Sequence, residues 1–93
     1  MKKIAVYFMP GLAASSAIFN RIKLPESTFD IHLLDWEIPV KNETLSNYAK
    51  RMATYVKEDN AVLIGVSFGG VLVQEMAKYL NLRKLIIISS VKT

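Results

Sequence analysis

Four runs of mainly apolar residues divide the chain at similar intervals. The first is Ile4–Met9, the second covers residues 29–34, the third covers residues 61–65, and the fourth begins at Leu85 and ends at Ile88. Apolar residues in these runs are largely continuous instead of alternating with polar ones. Such runs are typical of strands in a parallel sheet that is covered on both faces. The pattern therefore predicts four parallel strands.

The segments between these runs have the apolar spacing of helices. After Asn42, which predicts a helix cap, apolar residues recur every three or four positions, at Leu45, Tyr48, Ala49, Met52, Ala53 and Val56. A second helix is expected to start near Phe68 and to end at Asn81, and its helical stretch over residues 71–80 has one face made of Val71, Leu72, Met76, Ala77 and Leu80. Ser15 or Ser16 is expected to cap a short helix over residues 17–21. Strands that alternate with helices predict the α/β class, a predominantly parallel sheet with helices on both faces.

One serine stands where the third run gives way to a helix, in the sequence Gly65-Val66-Ser67-Phe68-Gly69. This is a G-x-S-x-G motif. A turn this tight brings the residues two before and two after the serine nearly into contact, so glycine is needed at both. The turn also forces Ser67 towards positive φ, a strain kept mainly where it exposes a reacting atom. The motif predicts a nucleophile elbow with Ser67 as the nucleophile, and the alternative is a glycine-rich turn with an idle serine.

Together with the first strand and the loop Pro10-Gly11-Leu12, this motif resembles the first half of a catalytic domain of the α/β-hydrolase superfamily. The resemblance implies that the backbone N–H groups of Leu12 and Phe68 form the oxyanion hole. Many members have His-Gly where this chain has Pro10-Gly11, so the sequence departs from the family there. The alternative is that Pro10-Gly11 forms only a turn.

The family's catalytic triad is incomplete in this chain. Triad residues follow the order Ser, then Asp or Glu, then His, and no Asp, Glu or His follows Glu75. The single histidine, His32, lies in the middle of a strand that the resemblance places two positions from the elbow strand, so it is not expected to be the base. Asp35 resembles a structural or rim residue of the family. The resemblance implies that residues 1–93 are a single domain and an amino-terminal fragment of a hydrolase domain.

Composition excludes several classes of function. Hydrophobic residues make up 52% of the chain and charged residues 22%, the balance of a globular α/β protein. The net charge is +4, but aromatic residues are not interleaved with the basic ones, so nucleic-acid binding is not expected. The lack of cysteine excludes disulfides and thiolate sites, and no metal or other cofactor is expected.

Location follows from the amino-terminal pattern. Lys2-Lys3 followed by an apolar stretch leaves a signal peptide as an alternative. Because Pro10-Gly11 interrupts that stretch, we expect a strand of the folded protein there instead of a signal peptide, and therefore a cytoplasmic location. No stretch approaches the roughly 20 apolar residues that span a membrane.

We therefore expect part of an enzyme, a serine hydrolase that acts on a small ester or thioester, with the triad acid and histidine outside this chain. The isolated chain is expected to be inactive. A non-catalytic hydrolase-like scaffold stays open, as does a phosphate- or nucleotide-binding module, since a glycine-rich turn before a helix can bind phosphate. The strand from Leu85 to Ile88 lacks the charges and prolines that protect sheet edges, so the rest of the domain or a second copy is expected to pair with it.

Overall fold

A four-stranded parallel sheet is the central element of the computed structural model, which describes residues 3–11 and 25–88. The elements in chain order are β1 (Ile4–Met9), β2 (Phe29–Leu33), α1 (Leu45–Ala53), β3 (Ala61–Val66), α2 (Phe68–Met76), the 3₁₀ turn Ala77–Tyr79 and β4 (Leu82–Ile88). The strand order is β2-β1-β3-β4, and every neighbouring pair is parallel. The predicted α/β class with four parallel strands is confirmed.

The register of the sheet brings the carboxyl ends of its strands to one edge. Tyr7 pairs with His32 of β2 and with Leu63 of β3, and Met9 pairs with Gly65. The segments that follow β1, β2 and β3 therefore leave the sheet on the same side. Open α/β sheets place their ligand and active sites at this edge. The candidate site lies there.

Both described helices pack on one face of the sheet. Their apolar sides meet inward-facing strand residues in one buried cluster, which includes Tyr7, Met9, Leu63, Met52, Leu72 and Met76. On the opposite face Val6 and Phe8, each 2% exposed, form a second cluster with Ile64. Residues 12–24, with the helix predicted over 17–21 and its cap at Ser15 or Ser16, lie outside the described part of the chain. A helix on the second face of the sheet therefore stays a prediction.

The first helix begins after Thr44, so the predicted cap at Asn42 is wrong. Thr44 has extended backbone angles, and its Oγ1 accepts a hydrogen bond from the Asn47 N–H at 3.0 Å. This is the geometry of an N-cap, whereas Asn42 has a φ of 64° and lies in the preceding turn. Because the apolar stripe starts one turn into α1, Leu45 is 42% exposed while the rest of the predicted stripe is buried.

The second helix covers Phe68–Met76, so its predicted start near Phe68 is confirmed. It ends at Met76, earlier than predicted, and the 3₁₀ turn Ala77–Tyr79 follows it before Asn81. Its buried face contains Leu72, Val73 and Met76, and Val71 is 42% exposed. The predicted face is therefore wrong at Val71, because the glycines after Ser67 turn a different side of α2 to the sheet.

The fourth strand begins at Leu82 instead of Leu85. Ala61 of β3 pairs with Leu82, so the hydrogen-bonded ladder extends further than the apolar run. Arg83 and Lys84 are exposed in this strand, since β4 lies at an edge of the described sheet where charged side chains reach water. The predicted edge position of this strand is confirmed for the described sheet, but the expectation that the edge strand lacks charges is wrong, because β4 starts early enough to include Arg83 and Lys84.

Candidate active site

Ser67 lies at a sharp corner between β3 and α2. Its backbone angles are φ 58° and ψ −124°, β3 ends at Val66 and α2 begins at Phe68. The predicted positive φ at this corner is confirmed. Non-glycine residues in sparsely populated backbone regions carry about 1–3 kcal/mol of strain, which the surrounding structure must hold in place. The Ser67 N–H donates to the Ile88 carbonyl at 2.9 Å, so the end of β4 anchors the corner.

Two glycines make room for this corner. A Cβ at Gly65 would lie 2.5 Å from Val73 Cγ2 and even closer to the Gly69 carbonyl oxygen. A Cβ at Gly69 would lie 2.5 Å from the Met9 carbonyl oxygen and also against that of Pro10. Real Cβ atoms are not found at such separations, so the backbone would have to move. The steric need for glycine two residues before and after Ser67 is therefore met in the structure.

The loop that follows β1 reaches the serine. A Cβ built on Gly11 would lie 3.5 Å from Ser67 Cβ and 3.9 Å from Ser67 Oγ. Phe68 is the first residue of α2, and the N–H of a first helical residue has no carbonyl partner within its own helix. Its N–H can therefore serve a ligand at the corner. Leu12, the other expected oxyanion donor, lies outside the described residues.

His32 is far from the serine. It pairs across the sheet with Tyr7, which pairs with Leu63, and Ser67 follows four residues later. Two strand spacings and four residues of rise correspond to roughly 16 Å. The His32 ring stacks on Tyr7 with centroids 4.4 Å apart, and its Nε2 lies 3.0 Å from Asp30 Oδ2. His32 thus has partners on its own part of the sheet and cannot take a proton from Ser67 in this geometry.

Trp36, in the segment after β2, contacts both the loop after β1 and the start of α2. Its Nε1–H donates to the carbonyl oxygens of Pro10 at 3.0 Å and Gly11 at 3.1 Å. Its ring stacks with Phe68, with centroids 5.8 Å apart and planes 16° apart, and with Tyr48 at 5.9 Å and 17°. The pattern of apolar and polar residues did not identify Trp36 as part of the site. One feature of the sequence could have done so: a single tryptophan directly after a strand, whose indole N–H needs an acceptor if it is partly buried.

An apolar pocket of about 440 Å³ opens beside these rings. Its lining combines the aromatic rings with the segment that leads into α1, namely Trp36, Glu37, Ile38, Pro39, Glu43, Thr44, Leu45, Tyr48 and Phe68. Phe68 directly follows Ser67, so the pocket adjoins the corner. An apolar group of a small molecule suits this lining.

An ion pair ties the pocket wall to α1. Arg51 donates to Glu43 from Nε and from Nη2, both at 2.9 Å, and Arg51 Nη2 also donates to the Ile38 carbonyl. The hydrogen bonds from Arg51, together with one from the Val40 N–H, lower the pKa of the Glu43 carboxyl. Burial raises the pKa of the Tyr48 hydroxyl, which donates to the Glu37 carbonyl at 2.6 Å. These contacts hold the segment that forms the pocket.

Comparison with known proteins leaves the chain without a family assignment. It matches no protein-family model and no curated protein. Within residues 3–11 and 25–88, no three carboxylate or histidine side chains group as metal ligands would. No helix in the same residues has the length and apolar character to cross a membrane.

Proposed function

We propose that this chain is part of a serine hydrolase that acts on a small ester or thioester, with Ser67 as its nucleophile. The observation that carries the proposal is the corner: Ser67 is exposed, holds a φ of 58°, and stands between β3 and α2 with Gly11 beside its Oγ. The resemblance of residues 65–69 and of the first strand and loop to the α/β hydrolases supports it.

In the proposed reaction Ser67 Oγ attacks the substrate carbonyl and forms a C–O bond. A histidine outside this chain accepts the serine proton and then gives it to the leaving alcohol or thiol, while an Asp or Glu orients that histidine. The N–H groups of Leu12 and Phe68 stabilise the negative charge that develops on the carbonyl oxygen. Loss of one such donor typically raises the barrier by about 3–4 kcal/mol. Water then hydrolyses the acyl enzyme and regenerates Ser67.

We propose further that the open edge of β4 pairs with the rest of the hydrolase domain or with a second copy of the chain. Leu85, Ile87 and Ile88 of this strand are 36–44% exposed. Exposed apolar side chains on an edge strand favour pairing with another strand, and the charged residues that oppose pairing, Arg83 and Lys84, lie only at the start of β4. The Ile88 carbonyl already anchors Ser67, so a strand added here would end close to the corner.

The experiment compares the 93-residue chain with a polypeptide that continues into the sequence following Thr93 in the gene. Both are tested for hydrolysis of an activated acyl ester and for labelling by a fluorophosphonate, as wild type, as Ser67→Ala and as Ser46→Ala. Ser46 is a matched control because it is an exposed serine on α1 that bonds Tyr79 instead.

We expect the longer polypeptide to hydrolyse the ester and to be labelled. Ser67→Ala should abolish labelling and lower kcat by at least about 10⁴-fold, and Ser46→Ala should change neither. The 93-residue chain should react no faster than its own Ser67→Ala variant, because a serine hydroxyl is a weak nucleophile without a base. A longer polypeptide whose hydrolysis is unaffected by Ser67→Ala would overturn the proposal.

A further inference from the structure

The apolar pocket beside α1 is continuous with the corner that holds Ser67. Phe68, the residue after Ser67, lines the pocket and is 43% exposed. From Phe68 the wall continues through the stacked ring of Trp36 to Tyr48 on α1, and the planes of neighbouring rings are 16° and 17° apart. These rings form a continuous apolar surface that begins at the serine. A group attached to the reacting carbonyl can therefore lie along this wall.

The uncharged polar side chains in the lining have hydrogen-bond partners within the protein. The Trp36 N–H donates to two backbone carbonyls of the loop after β1, and the Tyr48 hydroxyl donates to a third carbonyl at 2.6 Å. Thr44 Oγ1 accepts the hydrogen bond that caps α1. A polar ligand group would have to compete with these contacts, so it would gain little here. The other uncharged lining residues are apolar, namely Ile38, Pro39, Leu45 and Phe68.

Both carboxylates in the lining are also paired. Arg51 binds Glu43 through two hydrogen bonds of 2.9 Å. A hydrogen bond to the Glu37 carboxylate raises the pKa of the Tyr55 hydroxyl, and Tyr55 lies outside the lining. Within the part of the chain that the structure describes, no lysine, arginine or histidine lines the pocket. Two negative charges without a free positive charge disfavour an anionic ligand group.

We propose that this pocket binds an uncharged aliphatic chain of the ester or thioester substrate and discriminates against a chain that ends in a carboxylate. The inference rests on the proposed function and adds a class of substrate to it. The volume of about 440 Å³ lies within the range of small-molecule pockets. Each CH₂ group that leaves water for such a lining strengthens binding about fourfold, so the specificity constant should rise with chain length.

The first test varies the substrate of the longer polypeptide. The p-nitrophenyl esters of acetate, butyrate and hexanoate differ only in the acyl chain, whereas ethyl, butyl and hexyl acetate differ only in the alcohol. We expect kcat/KM to rise by about two- to fourfold per CH₂ in one of these series, which identifies the side of the substrate that the pocket holds. A chain of the same length that ends in a carboxylate, as in adipate in place of hexanoate, should lower kcat/KM at least about tenfold. Rates that do not depend on chain length in either series would overturn the proposal.

The second test places a positive charge in the pocket. Leu45 lines the pocket at the first position of α1 and is 42% exposed, so the fold should tolerate Leu45→Lys. Val71→Lys is the matched control, because Val71 is equally exposed and lies on α2 outside the lining. Leu45→Lys should raise kcat/KM for the carboxylate-ended substrate relative to the uncharged one at least about tenfold, and Val71→Lys should change this ratio less than about threefold. Equal changes in both variants would show that the pocket does not bind the chain.

A binding measurement separates this proposal from the hydrolase proposal. Trp36 is the single tryptophan among the 93 residues and lines the pocket, so its indole N–H gives one resonance in a ¹⁵N spectrum of the chain. Hexanamide should shift this resonance at about tenfold lower concentration than butanamide. If hexanamide leaves it unchanged while Ser67→Ala abolishes hydrolysis by the longer polypeptide, the pocket assignment is wrong and the hydrolase proposal stands. If hexanamide shifts it but hydrolysis is unaffected by Ser67→Ala, the hydrolase proposal fails and the preference of the pocket for aliphatic chains stands.

Discussion

The backbone strain at Ser67 can be measured by replacing only its side chain. Ser67→Ala keeps a Cβ at φ 58° and ψ −124°, whereas Ser67→Gly removes it. The Ser67 side chain is exposed and makes no capping hydrogen bond to α2, so Ser67→Ala should change the free energy of unfolding by less than about 0.5 kcal/mol. The comparison between the alanine and glycine variants then isolates the strain.

The expected difference has two opposing parts. Relief of a sparsely populated backbone conformation stabilises the folded state by about 1–3 kcal/mol. Glycine also has more freedom in the unfolded chain, which offsets about 0.5–1 kcal/mol. Ser67→Gly should therefore be up to about 2.5 kcal/mol more stable than Ser67→Ala, although both lack the proposed nucleophile.

Urea unfolding followed by circular dichroism measures this difference. At a slope of about 1 kcal/mol per molar urea, a gain of 1 kcal/mol moves the midpoint by about 1 M. Asn60→Gly is the control, because Asn60 also has a φ of 58° but asparagine tolerates positive φ and should gain less. A Ser67→Gly midpoint below that of Ser67→Ala would refute the idea that the corner is strained.

Four further predictions concern two glycines beside the corner, the edge of β4 and the Glu43–Arg51 ion pair. Gly69→Ala should destabilise the fold by at least about 3 kcal/mol in urea unfolding, since its Cβ would meet backbone oxygens. A Cβ at Gly11 would have only ordinary contacts, so Gly11→Ala should keep the melting temperature but lower kcat, because its methyl group lies beside Ser67 Oγ. Equal losses of stability in Gly11→Ala and Gly69→Ala would contradict this. Sedimentation of the 93-residue chain at tens of micromolar should show association that Ile88→Lys reduces, and a monomeric wild type would count against pairing at β4. Because the hydrogen bonds from Arg51 lower the pKa of Glu43, the carboxylate stabilises the fold at pH 7, and this contribution is lost as the pH falls through the folded-state pKa. Glu43→Gln should thus unfold at lower urea than the wild type at pH 7, and the difference between their midpoints should shrink as the pH is lowered. A difference that does not change with pH would contradict this.

The corner could be predicted from sequence because its causes are local. Gly65 and Gly69 lie within a few residues of Ser67, and the steric need for them depends only on a tight strand-to-helix turn. Four apolar runs were likewise enough for four parallel strands. The start of β4 was missed because Leu82 pairs with a neighbouring strand, and pairing extends beyond the apolar run.

The helix details and the surroundings of the serine depend on contacts that a linear pattern does not contain. Asn42 and Thr44 are both acceptable cap residues, and the choice between them depends on how the segment after β2 approaches α1. Trp36 is a partner of Gly11 only because β1 and β2 are adjacent and parallel, which places their following loops side by side. Such partners follow from strand order, which must be known first.

For the proposed reaction, strand order also indicates where a base for Ser67 would lie. The three segments that meet at the corner follow β1, β2 and β3, at Gly11, Trp36 and Ser67. On the far side of Ser67 stands β4, whose last carbonyl binds the Ser67 N–H. A loop after β4, or after a strand added beyond it at about 4.8 Å spacing, would leave the sheet at the same carboxyl edge. A histidine on such a loop could reach Ser67 without crossing the sheet, whereas His32 lies two strands away on the opposite side, in mid-strand.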